Sequence, residues 1–140
     1  MRLAGRMSRV GRWWAVEVPM LGVATQGSTR KEALAMIADA VQELVNRKGV
    51  RIRVHSGDGD GFEISANDPA ALTALMLRRL RARAGLTLAE VAVRLDARSL
   101  NAWARYEQGR AVPTIVKLSE LFAAVAPGRD FVITESRRSS

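Results

Sequence analysis

The hydrophobic pattern of the chain changes its period at Asp68-Pro69, and this change limits the fold more than any other feature. Before this dipeptide, apolar and polar residues alternate in several short segments, as they do in half-buried β-strands. After it, apolar residues recur every three or four positions, as on one side of an α-helix. Aspartate is a favourable N-cap and proline fits the first helical position, so the dipeptide itself predicts a helix start. We therefore expect an α+β chain with two different halves.

Alternating segments predict a small antiparallel sheet in the first half. Residues 50–54 alternate strictly, residues 13–18 alternate faces with period two and end at Pro19, and a shorter strand is predicted at residues 23–25. Residues 62–65 are a candidate hairpin partner of residues 50–54 across the loop HSGDGDG. A further strand is possible near the amino terminus, within residues 1–9.

One helix is predicted within this sheet region. Thr29 and Glu32 have the spacing of a capping box, in which the hydroxyl and the carboxylate satisfy backbone amides at the helix start. Apolar residues then recur at helical spacing up to Val45, and Gly49 is a suitable stop. Because a helix with one apolar stripe must bury it, we expect this helix to lie on the sheet. Residues 1–67 are thus predicted to form a sheet-plus-helix domain, the sheet half.

Residues 68–136, the helical half, are predicted to form an all-α domain. Helix starts and stops are marked by Asp68, by the capping box from Thr87 to Glu90, and by Gly85 and Gly109. The four predicted helices cover residues 69–84, 87 to about 95, 99–108, and about 114 to 125. The apolar piece Phe131–Ile133 is compatible with a carboxyl-terminal strand, and residues 137–140 are predicted to be a disordered tail.

Charge and composition favour a nucleic-acid partner and disfavour several enzyme classes. The net charge is +8, with ten Lys/Arg against four Asp/Glu in residues 1–56 and twelve against seven in residues 68–140. Such an excess is either a solvated surface or a nucleic-acid footprint. Cysteine is absent, which excludes disulfides, thiolate metal sites and cysteine nucleophiles.

Catalysis is not expected. His55 is the single histidine, so neither a histidine metal cluster nor a histidine pair can be built. The carboxylates available for a metal-dependent nuclease are sparse, and most of them lie on the predicted helix of the sheet half. The acidic loop lacks the rest of a calcium-loop pattern. We expect no enzyme activity, no metal and no cofactor. We also expect a soluble, cytoplasmic protein, because no apolar run reaches the roughly 20 residues of a membrane helix.

The third predicted helix, SLNAWARYEQG, carries aromatic and hydrogen-bonding side chains on different sides. Trp103 and Tyr106 are expected to hold it against the other helices. Its remaining edge would then face a DNA major groove, where asparagine can bond adenine, arginine can bond guanine or phosphate, and leucine can contact a thymine methyl. The residues expected at this interface are Ser99, Leu100, Asn101, Ala102 and Arg105. An ordinary amphipathic surface helix would show the same pattern.

The run from Leu77 to Val125 closely resembles the Xre/Cro-like helix-turn-helix family. The matching pieces are Leu80-Arg81 before Gly85, Leu86-Thr87, Leu95, Tyr106-Glu107 before Gly109, and Pro113. The resemblance implies that Arg81 and Glu107 form a structural ion pair between the first and third helices. The family usually has glutamine where this chain has Leu88, so the grip on the DNA backbone is expected to depend on helix-start amides and on Thr87, Arg98, Arg110 and Lys117.

The sheet half resembles the HicB family of antitoxins over the run from Gly11 to Val45. The matching features are the aromatic strand ending in Val18-Pro19, the segment GVATQG, and the helix that opens after Ser28. The resemblance implies a partial RNase H-like fold that binds and blocks a HicA-type toxin, a ribonuclease that cleaves mRNA. The chain would then be an antitoxin that represses its own operon as a homodimer or a tetramer on operator DNA. The alternative is a stand-alone repressor whose sheet half serves oligomerisation or ligand sensing.

Overall fold

The fold is an antiparallel five-stranded sheet followed by helices. The structure, a computed structural model, describes residues 1–96 and 101–137. The strands are β1 (Leu3–Val10), β2 (Trp13–Val18), β3 (Val23–Gly27), β4 (Ile52–Ser56) and β5 (Gly61–Ala66). Their order across the sheet is β3-β2-β1-β5-β4, and every neighbouring pair is antiparallel. Strand β1, which the sequence indicated only as a possibility within residues 1–9, is therefore the central strand.

One face of the sheet is buried and the other is open to solvent. In β1 the side chains of Leu3 and Met7 are buried, whereas those of Ala4 and Arg6, which point to the other face, are exposed. This alternation follows from the two-residue period of a strand. Helix α1 (Arg30–Val45) covers the buried face with an apolar stripe that consists of Ala33, Ile37, Val41 and Val45.

The start of α1 follows the predicted capping pattern with one change. Thr29 Oγ1 accepts a hydrogen bond from Glu32 N at 3.0 Å, as expected for an N-cap. The Glu32 carboxylate accepts from Ser28 N at 3.0 Å and also from the Ser28 hydroxyl. These hydrogen bonds to Ser28 lower the pKa of Glu32. The reciprocal bond of this cap thus reaches one residue further back than the spacing predicts.

Helix α2 (Pro69–Ala84) is shared by the two halves. Its seven consecutive residues from Ala71 to Leu77 are all buried, and a helix that is buried on every side needs partners on every side. On one side α2 contacts β5, α1 and the short 3₁₀ turn Pro19–Leu21, and on the other side it contacts α4 and α5. The hydrophobic core is consequently one continuous cluster. The predicted boundary after residue 67 coincides with the Asp68 N-cap of α2 but not with a gap in the packing.

Three further helices complete the chain. They are α3 (Leu88–Arg94), α4 (Asn101–Glu107) and α5 (Ile115–Val125). Glycine in a left-handed conformation ends α2 at Gly85, as the sequence predicted. The α+β architecture, with helices after the sheet, is therefore confirmed.

The carboxyl-terminal strand is not formed. Phe131, Val132 and Ile133 have no strand conformation, and the last two are 82% and 71% exposed. The Phe131 ring instead packs edge-on against Phe122 of α5, with ring centroids 5.8 Å apart. This aromatic contact keeps the segment beside α5, so the prediction of a strand at 131–133 is wrong. Of the predicted tail, residues 138–140 lie outside the described residues.

Candidate nucleic-acid interface

The interface begins at α3, whose start is fixed by a complete capping box. Thr87 Oγ1 accepts from Glu90 N at 3.1 Å, and Glu90 Oε1 accepts from Thr87 N at 3.3 Å. Thr87 is exposed, and its hydroxyl keeps a proton that it can donate outward. Leu88 is half-buried against the core, so this position contributes to packing.

Helix α4 is anchored by its aromatic residues. Trp103 is 1% exposed, and its indole Nε1 donates to Glu107 Oε1 at 2.5 Å. Tyr106 is half-buried and packs against the same core. Because a helix of seven residues is too short to be stable alone, these contacts must supply most of its stability.

Arg81 and Glu107 connect α2 to α4 through a bidentate ion pair. Arg81 Nε and Nη2 lie 2.5 Å and 3.1 Å from the two oxygens of the Glu107 carboxylate. Arg81 Nη1 also donates to Leu86 O at 2.9 Å, which ties in the turn before α3. The hydrogen bonds that Arg81 donates to Glu107 raise the pKa of Arg81. The pair that the family resemblance implied is thus part of the structure, and Trp103 belongs to the same network.

A polar edge of α4 remains on the surface. Asn101, Ala102 and Arg105 are exposed, whereas Trp103 and Glu107 on the same helix are buried. Arg105 follows Asn101 by four residues and Ala102 by three, so it lies beside both on one side of the helix. Arg98, Ser99 and Leu100, which were predicted to contact DNA, lie outside the described residues.

The end of α4 brings a second arginine close to this edge. Gly109 takes a left-handed conformation with φ of 70°, and its N donates to Tyr106 O at 3.1 Å. Arg110 N then donates to Arg105 O at 3.0 Å. The exposed Arg110 therefore follows directly on the last turn of α4, where the sequence analysis expected a phosphate contact. Lys117, also expected to grip the backbone, forms an ion pair with Glu120 at 2.9 Å, and this contact raises its pKa.

Three other arginines have a role that the sequence did not indicate. They are Arg78, Arg79 and Arg83 on α2, which belong to the basic excess that was assigned to a solvated surface or a nucleic-acid footprint. They donate instead to main-chain carbonyls of the sheet half, through Arg78 Nη2 to Leu44 O (2.8 Å), Arg79 Nε to Leu21 O (2.9 Å) and Arg83 Nη1 to Pro19 O (2.9 Å). Main-chain acceptors at a distant turn leave no mark in a sequence. These arginines of α2 thus bond the helical half to the sheet half.

The open face of the sheet is a second surface. It is defined by the outward residues Arg2, Arg6, Trp13, Glu17, His55 and Glu63. Arg6 pairs with Glu17, and Arg2 Nη1 lies 3.0 Å from Glu63 Oε1. Trp13 is 39% exposed, with Arg12 stacked 5.4 Å from its ring centroid. The carboxyl-terminal segment contacts one part of this face, because Arg2 Nη1 donates to Ser136 Oγ (3.1 Å) and the Ser136 hydroxyl donates to Glu63. The part around Arg6 and Trp13 is exposed and offers charges and an aromatic ring to a partner.

Comparison with known proteins identifies the helical half. A family model described as a helix-turn-helix domain matches residues 74–126. The matched segment begins within α2 and ends just after α5, so it contains the anchored α4 and the capped α3. The chain thus carries a helix-turn-helix domain, which indicates a DNA-binding regulator. A search of curated proteins gave no match.

The described part of the chain shows neither a membrane-spanning helix nor a metal-binding cluster. Over residues 1–96 and 101–137, no helix combines the length and the apolar character needed to cross a bilayer. The same residues contain no group of three or more histidine, cysteine or acidic side chains arranged to hold a metal ion.

Proposed function

We propose that this protein is a sequence-specific transcriptional repressor that reads operator DNA with α4. The observation that carries the proposal is the division of α4 into a buried side, held by Trp103 and by Glu107 with Arg81, and an exposed side with Asn101, Ala102 and Arg105. An edge of this chemistry suits the donors and acceptors of the major groove. Thr87, Arg98 and Arg110 would hold the phosphate backbone, with Ser99 and Leu100 at the base edges.

A gel shift on the DNA upstream of the protein's own gene tests this proposal. Asn101→Ala should cost about 1 to 3 kcal/mol of binding free energy and relax the preference at one base pair. Arg110→Ala should weaken specific and random duplexes alike and reduce the salt slope by about one. The charge-matched control is Arg129→Ala, which changes an exposed arginine beyond α5. Equal losses on specific and random DNA for Asn101→Ala would contradict base reading.

The repressor is proposed to act as a dimer, either alone or paired into a tetramer. A two-fold dimer places its recognition helices on half-sites about one helical turn, near 10 bp, or a multiple of this apart. The expected operator is therefore a palindrome with this spacing. Footprinting combined with a mass measurement of the complex gives the spacing and the subunit number together.

We further propose that the open face of the sheet binds a HicA-type toxin, which would make the chain the antitoxin of a cytoplasmic toxin-antitoxin pair and not an enzyme. The proposal is supported by the resemblance of residues 11–45 to HicB antitoxins and by the exposed mixed-charge surface of that face. Such a protein should co-purify with the product of a neighbouring short reading frame for a basic protein. It should also relieve the growth arrest that this product causes. If the arrest is the same with and without this chain, the alternative of a stand-alone repressor is favoured.

A further inference from the structure

One side chain of the sheet half reaches the end of α4. Arg47 lies in the turn between α1 and β4, and its Nη2 donates to the main-chain oxygen of Gln108, the first residue after α4. The last carbonyls of a helix have no partner within the helix and carry partial negative charge. A guanidinium at this point is therefore a charge-assisted cap, supplied by a part of the chain 61 residues away.

The turn that carries Arg47 is itself held firmly. Two side chains, Gln42 on α1 and Asn67 after β5, satisfy the main chain around it. Their bonds run from Gln42 Nε2 to Val50 O (2.7 Å), Ile52 N to Gln42 Oε1 (3.0 Å), Asn67 Nδ2 to Gly49 O (2.9 Å) and Arg51 N to Asn67 Oδ1 (2.7 Å). The position of the Arg47 main chain is thus set by the sheet half.

Gly109, next to the Gln108 carbonyl that accepts this bond, leaves room for the Arg47 side chain. Gly109 has φ of 70°, and a β-carbon on it would lie 2.6 Å from Arg47 Nη1. The equivalent glycine at the end of α2, Gly85, has nearly the same conformation with φ of 69°, but nothing lies within 4 Å of its β-carbon position. The backbone conformation thus favours glycine at both positions, but only at 109 would a side chain also have to displace the guanidinium of Arg47.

We propose that Arg47 is a positioning residue for α4, through which the sheet half sets the orientation of the DNA-reading edge. The proposal rests on the proposed DNA-binding function. The Trp103 and Arg81 contacts hold the buried side of α4, while Arg47 fixes its carboxyl-terminal end, close to Arg105 and Arg110. Without Arg47 the end of α4 keeps the backbone bonds of the Gly109 turn but loses its side-chain cap. Because helix ends fray readily, loss of this contact should alter the interface without unfolding the core.

The experiment compares Arg47→Ala with Lys48→Ala. Lys48 is the adjacent exposed residue, and its change removes the same charge. Amide hydrogen exchange is measured in the free protein, and affinity is measured for the duplex upstream of its own gene and for a random duplex. Arg47→Ala should accelerate exchange in residues 106–111 and lower affinity for the specific duplex about tenfold, as expected for loss of a charge-assisted bond. Lys48→Ala should leave exchange unchanged and weaken both duplexes equally.

Gly109→Asn and Gly85→Asn give an independent measurement, because asparagine tolerates the left-handed conformation at both sites. Gly109→Asn should accelerate exchange at the end of α4 in the wild-type background and have much less effect when Arg47 is already alanine. Arg47→Lys should restore part of the specific affinity.

The proposal is overturned if Arg47→Ala and Lys48→Ala behave alike in both measurements, or if exchange changes while the preference for the specific duplex does not. If the wild-type protein binds no duplex, the proposed function fails. The exchange data then still decide whether Arg47 holds α4.

Discussion

The Arg81–Glu107 pair of the helical half and the Arg6–Glu17 pair on the open face of the sheet have the same residue types and opposite surroundings. In the helical half, the Arg81 and Glu107 side chains are 22% and 9% exposed and share a network with Trp103. On the open face of the sheet, the Arg6 and Glu17 side chains are 71% and 39% exposed. The same two residue types are therefore part of a packed network in one region and part of a hydrated surface in the other.

This difference shows how the halves are stabilised. The sheet half is held by alternating apolar side chains such as Val16, Val18 and Ile64, which are at most 1% exposed. The helices α3 and α4 have only seven residues each and depend on caps, on the ion pair and on Trp103. The short helices thus depend on shielded polar contacts, whereas the Arg6–Glu17 pair of the sheet lies on the surface.

The largest expected effect comes from breaking the shielded pair. Glu107→Ala removes the carboxylate that accepts hydrogen bonds from both the Arg81 guanidinium and the Trp103 indole. Removing one partner of a buried pair costs about 3 to 5 kcal/mol, and the partial exposure of Arg81 places the expectation at the lower end. Glu17→Ala, the matched change in the exposed pair, should cost about 0 to 1 kcal/mol. Urea unfolding followed by circular dichroism measures both, and similar losses would contradict the contrast between the two regions.

Packing in the sheet half is tested by an added methyl group. Gly5 of β1 lies under the Phe62 ring, and a β-carbon there would be 2.2 Å from the ring. Gly5→Ala must therefore displace Phe62, and overpacking of this kind costs about 1 to 3 kcal/mol. Gly61→Ala is the control on the neighbouring strand, because nothing lies within 4 Å of its β-carbon position. Gly5→Ala should lower the free energy of unfolding more than Gly61→Ala does. A larger loss for Gly61→Ala would refute the packing argument.

Most of the fold could be predicted because its signals are local. The capping box at Thr87, the Asp68-Pro69 start and the stop at Gly85 each involve a few successive residues, and all of them were predicted. The predicted stop at Gly49 was wrong, because α1 ends at Val45 with Asn46 in the left-handed conformation. The central position of β1 could not be predicted, since Leu3 and Met7 are its only buried residues and β5, its second pairing partner beside the adjacent β2, lies far along the chain. The segment 131–133, which was compatible with a strand, forms none, and its Phe131 ring packs against Phe122.

The site was predictable in its chemistry but not in its connections. The buried Trp103 and the exposed Arg105 follow from helical spacing, and the structure shows both. The Arg81–Glu107 pair was accessible only through a family resemblance. Arg47, in contrast, has a main-chain carbonyl as its partner, and an acceptor that every residue possesses gives no pattern to read.

A smaller effect separates stability from DNA binding at two threonine caps. Thr29 caps α1 in the sheet half and Thr87 caps α3 in the helical half, each by accepting one amide hydrogen bond. Replacement of either by alanine should cost about 1 kcal/mol of unfolding free energy. Only Thr87→Ala should also weaken binding to DNA, because its hydroxyl faces the proposed phosphate contact. Unfolding and gel-shift measurements on both variants test this, and equal DNA affinities would remove Thr87 from the interface.

The smallest expected effect is a pH dependence that belongs to the sheet half alone. Burial lowers the pKa of His55 below its ordinary value of 6.5, and the charges of Arg2 and Arg53 act in the same direction against the opposing charge of Glu63. The folded state therefore favours neutral His55, so this contribution to stability is complete above pH 6.5 and declines as the pH falls toward the lowered pKa. His55→Gln retains a hydrogen-bonding group for Ser65 but does not titrate. Urea midpoints at pH 7.5 and 5.5, a range above the ordinary carboxyl pKa, should fall more for the wild type than for His55→Gln. Equal decreases would mean that His55 titrates alike in the folded and unfolded chains and that the open face does not respond to pH.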